Sequence, residues 1–141
     1  MTARVLLTDR DSDDAVVVTP RGQLVVAPLS YSTPVTKQLA VADTAYNFIE
    51  PLAGHFIVIT DIIASAGKTV SNTTPADVVV YQASAIDTAT VDDVIVQPQL
   101  LRGASSPLTG MNLEVPAGKW VNAKTDDAAV LLTIMFYRVK L

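Results

Sequence analysis

The sequence predicts an all-β chain, an antiparallel β-sandwich or barrel, and three observations predict it. Val, Ile and Thr recur in short runs, and Pro, Gly, Asn and Asp separate those runs. No stretch sustains apolar residues at helical spacing. About eight to ten short strands at regular spacing fit a sandwich or barrel and not βαβ units.

The runs follow one another as strands and turns. "RVLL" opens the chain as a short strand and the acidic "TDRDSDD" closes it. "AVVVT" and "QLVVAP" flank "PRG", a hairpin signal, because Pro presets φ and Gly accepts positive φ. "VTKQLAV" alternates as a half-buried strand does, and "AYNFIE", the turn "PLAGH" and the β-branched "FIVITDIIASA" come next. "GKTVSNTTPA" reads as a loop. "DVVVYQAS", "VDDVIVQPQLLR", "GMNLEVP", "WVNAK" and "AVLLTIMFYRV" supply the remaining strands, with a short helical turn expected near "ASAIDTATVDD". At 141 residues this is one domain, divided into an N-terminal arm over residues 1–14 and a sandwich over 15–141.

Two heptapeptides echo each other: "EPLAGHF" (Glu50 to Phe56) and "EVPAGKW" (Glu114 to Trp120). Each ends a strand at a Pro, turns at Ala-Gly, and starts the next strand with an aromatic. Gly54 and Gly118 are expected at positive φ. Phe56 and Trp120 are expected to anchor the packing, with His55 and Lys119 as polar residues between turn and anchor.

Half of the residues are hydrophobic and 17% are charged, against about 25% in an average domain. A small β domain has little interior to fill, so part of its apolar surface is expected to lie under another copy. "FIVITDII" and "AVLLTIMFY" are apolar at nearly every position and are the expected self-contact. The residues singled out there are Phe56, Ile57, Ile59, Ile62, Leu132, Ile134, Phe136 and Tyr137, with Trp120 nearby. Arg4, Val5, Leu6 and Leu7 are expected to add as an edge strand to a partner sheet.

Chemistry is harder to find. A net charge of -4 without any Lys/Arg run argues against nucleic acid as a partner. Cysteine is absent, which removes disulfides and thiolate metal sites. The N-terminus turns acidic too early for a signal peptide, and no apolar run approaches the ~20 residues of a membrane span. Asp9, Asp11 and Asp13 start like a calcium loop, but Asp14 stands where Gly is needed and Pro20 where Glu is needed. "GKT" (Gly67 to Thr69) lacks the upstream glycine of a phosphate loop, since Ile62 stands there. His55 has no nucleophile elbow to serve, and "GASS" (Gly103 to Ser106) reads as part of a Pro-containing loop. "NTT" (Asn72 to Thr74) is loop chemistry, and Asp126 and Asp127 form a turn. A sugar platform would need Trp120 exposed beside one of Tyr31, Tyr46, Tyr81 or Tyr137, and packing is the better use of these few rings. No cofactor, metal or catalytic residue is expected.

The segments "TAYNFIEPLAGHFIVITDIIASAGKTV", "ADVVVYQASAIDTATVDDVI" and "LTGMNLEVPAGKWVNAKTDDAAVLLTIMFY" resemble small virion structural proteins of tailed double-stranded-DNA bacteriophages. The resemblance runs from about residue 20 to residue 140. It implies a β-sandwich of jelly-roll type without catalysis, located in the virion. Within that class it implies a capsid decoration (cement) protein, a homotrimer bound to the major capsid protein. Two other readings stay open: a tail, neck or baseplate component, and a carbohydrate-binding adhesin module.

Overall fold

The structure is a computed structural model that describes residues 32–86, 91 and 93–141. Arg4, Val5, Leu6 and Leu7, the boundary expected at residue 14, and the strands expected at "AVVVT" and "QLVVAP" lie outside those residues. The unit described, Ser32–Leu141, is built of ten strands without a helix among the described residues. They are β1 (Thr33–Leu39), β2 (Tyr46–Ile49), β3 (His55–Ala66), β4 (Ala76–Ala83), β5 (Asp93–Val96), β6 (Gln99–Leu100), β7 (Ser105–Leu108), β8 (Leu113–Val115), β9 (Trp120–Thr125) and β10 (Val130–Lys140).

Two antiparallel sheets pack face to face. The first has the order β1-β10-β3-β7, with β8 also on β3, and the second β2-β9-β4-β5, with β6 also on β4. Ile59, Ile62, Leu132 and Ile134 of the first sheet and Val78, Val80, Val121 and Ala123 of the second share one core and are fully buried. Each large aliphatic side chain removed from water there contributes roughly 1.5–3 kcal/mol.

Strict alternation cannot bury both Ile59 and Ile62, which are an odd number of residues apart. The chain solves this with a bulge. Ile59 pairs with Phe136 and Asp61 with Met135, so Thr60 is the extra residue and the inward phase is restored beyond it. Thr60 Oγ1 donates to the Met135 carbonyl at 3.3 Å, and its carbonyl accepts from Met111 N at 2.8 Å.

The two echoing heptapeptides form the same joint. His55 N donates to Leu52 O and Lys119 N to Pro116 O, at 3.0 and 3.2 Å. In each four-residue turn the third residue, Gly54 or Gly118, has positive φ (72° and 81°), the pattern of a type II turn. Both turns are crossings between sheets. The first leads from β2 to β3 and the second from β8 back to β9. Ile49 pairs with Val121 and Ile57 with Val115, so the two crossings run side by side in opposite directions. The packing anchors differ from expectation. Ile57 and Val121 fill the core, whereas Phe56 and Trp120 are half-buried and face outward, one on each sheet.

The "GASS" stretch also differs from the loop expected of it. Ser105 and Ser106 begin β7, whose Pro107 pairs with Ile63 on an outermost strand, where a missing N–H costs no ladder bond. "VDDVIVQPQLLR", read as one strand, is broken into β5 and β6 at Gln97-Pro98.

Candidate interaction surface

The outward side of the first sheet is set by the register of β3 and β10. Leu131 lies between Gln38 and Ser65, Thr133 between Thr36 and Ile63, and Met135 between Pro34 and Asp61. Past the bulge, Tyr137 pairs with Val58 and Val139 with Phe56. Leu131 is 48% exposed; Ile63, Met135, Tyr137, Val139 and Phe56 are half-buried. Val58 is buried although it faces away from the core cluster.

Charge is sparse on this face. Among the described strand residues that point outward, Asp61 and Glu114 are the charged ones, and Asp61 Oδ1 already accepts the Gly110 amide at 3.2 Å. Hydroxyls pair with each other across strands: Thr36 with Thr133 at 2.9 Å, and Ser65 with Ser105 at 3.2 Å. Few charges, satisfied polar groups and exposed aliphatic side chains are the composition of an interface centre.

The outward side of the second sheet is different. Asn47, Asn122 and Tyr81 form one row across β2, β9 and β4. Tyr81 and Asn122 are fully buried, and Asn122 Nδ2 donates to the Ala85 carbonyl at 3.3 Å. The backbone just after β4 therefore folds back onto this side. Among the described residues, the first sheet carries the more exposed outward row, with Leu131 at its centre.

Among the described strands, β1, β7 and β5 are poor docking edges. β1 carries Pro34 and Lys37, and Lys37 Nζ reaches across to the Asn47 carbonyl of β2. β7 carries Pro107; β5 is bulged against β4 between Val80 and Tyr81 and stops short of Pro98. Prolines, bulges and an edge lysine oppose addition of a further strand.

Of the residues expected at the self-contact, Phe56 and Tyr137 lie on this face and Trp120 lies on the opposite sheet. Ile57, Ile59, Ile62, Leu132, Ile134 and Phe136 are buried inside the sandwich, where the second sheet covers them. Contact with another copy through these six would require opening the core. The same strands instead present Ile63, Leu131 and Met135, one position out of phase. Thr133, Asp61 and Ser65 mark that phase as the wet one.

The residues weighed for chemistry serve local structure. His55 Nδ1 donates to Ala53 O at 2.9 Å, inside its own turn. Asp126 Oδ1 accepts the amide of Asp77 on β4, and Asp127 Oδ1 the amide of its neighbour Ala128, both at 2.7 Å. Ser71 Oγ holds the amides of Thr73 and Thr74 in the "NTT" loop. Gly67, Lys68 and Thr69 line an open groove of about 490 Å³ with Gln38, Ser65 and Leu131. Among the described residues no group of three His, Asp or Glu is placed to hold a metal. Tyr46 accepts the amides of Ala40 and Val41 through its hydroxyl, Tyr81 is buried, and Tyr137 sits on the other sheet from Trp120. Tyr31 lies outside the described residues, and the described rings do not assemble into one platform.

The described residues together define a small β-sandwich with one weakly charged outward side. No protein-family model and no curated protein matches the chain.

Proposed function

We propose that the chain is a non-enzymatic virion structural protein of a tailed phage, a capsid decoration protein that assembles as a trimer on the major capsid protein shell. The observation that carries the reading is the weakly charged outward face of the first sheet, built for contact with protein.

The strand order supports it. If β5 with β6 and β7 with β8 each count as one interrupted strand, eight strands remain in two sheets of four. Their order, first, eighth, third, sixth over second, seventh, fourth, fifth, supports the jelly-roll reading, an architecture used by viral capsid domains. Fold alone does not assign a function. The resemblance in "AYNFIEPLAGHF" and "GMNLEVPAGKWVNAKTDD" supplies the phage context. A cement protein works by mass action, since whatever binds the assembled shell and not its dispersed subunits stabilises it.

In this reading copies meet through the outward sides of β3 and β10, in a closed symmetric ring. Residues 1–14 extend the contact to the shell. The blunted outermost strands disfavour another copy's sandwich as the acceptor for Arg4 to Leu7.

Two measurements test the proposal. Quantitative mass spectrometry of the purified particle gives a copy number on the scale of the shell subunits; a number matching one tail ring overturns the cement assignment. Light scattering of the purified chain gives a trimer, and Leu131→Lys with Met135→Lys gives a monomer with cooperative unfolding retained. A wild-type monomer at micromolar concentration overturns the self-contact.

A further inference from the structure

We draw no further inference here: the strongest candidate, the weakly charged outward face of the β1-β10-β3-β7 sheet around Leu131, Ile63 and Met135, belongs to the surface already described, and nothing in the structure shows what else covers it.

Discussion

Gly67 and Ala129 meet backbone to backbone. A Cβ added at Gly67 would stand 2.8 Å from the Ala129 carbonyl oxygen, and the same oxygen accepts the Gly67 amide at 2.9 Å. Ala129 is itself in the left-handed region, at φ 67°, and its amide donates to Leu39 O at 3.0 Å. The entry to β10, the exit of β3 and the end of β1 are thereby tied at one point.

This contact orders the glycine substitutions. Gly67→Ala forces a methyl against a backbone oxygen that cannot rotate away, and is expected to cost roughly 1–3 kcal/mol. Gly118→Ala meets open space, so only its positive φ resists the change, at about 1 kcal/mol. Urea unfolding of both variants checks the order; equal midpoints would remove the clash as the reason for Gly67.

Ala129 gives the converse test. A Cβ in the left-handed region is strained, and glycine relieves that strain while losing more freedom on folding. Ala129→Gly should leave stability within about 0.5 kcal/mol of the parent, whereas a β-branched Ala129→Val should lose more than about 1 kcal/mol. The same urea series reads both.

Adjacent residues of β10 should behave oppositely. Leu132 is fully buried and Leu131 is 48% exposed. Leu132→Ala is expected to cost about 2–5 kcal/mol, and Leu131→Ala less than about 0.5 kcal/mol in the isolated chain. Comparable losses at the two positions would mean that the outward phase assigned to Leu131 is mistaken.

The bulge at Thr60 is a sharper test of register. Thr60→Ala removes the hydroxyl bonds to Met135 O and Ser32 Oγ and should cost about 1 kcal/mol. Deleting Thr60 would instead leave Ile59 and Ile62 two residues apart, so that regular alternation buries both and β3 pairs with β10 without a bulge. That variant should keep a cooperative unfolding transition by circular dichroism, and loss of the transition would show that Thr60 is not the extra residue.

How much of this was legible depends on which physics decides each feature. The strands showed themselves as β-branched runs, and the joint at "PLAGH" and "PAGK" showed itself because Gly at positive φ leaves a chemical trace. The two sides of β3 and β10 were harder to tell apart. Both phases are largely apolar, and one residue, Thr60, shifts the alternation midway without any special chemistry of its own. Burial across two sheets separates Leu132 from Leu131, and that is a tertiary fact. β7 escaped notice for a related reason. "SSPL" has little β-propensity, and pairing with the long edge of β3 makes it a strand.

Trp120 offers a last check on which face is used. It is the chain's single tryptophan and lies on the outward side of the second sheet, beside Ala83. Contact between copies through the first sheet leaves its surroundings untouched. Diluting the proposed trimer to monomer should therefore leave the tryptophan emission maximum and its iodide quenching unchanged, even as light scattering reports the loss of mass. The half-buried ring should give quenching between that of a free indole and that of a core residue at every concentration. A red shift that tracks dissociation would place the contact on the second sheet and reject the assignment of Leu131 and Met135 to it.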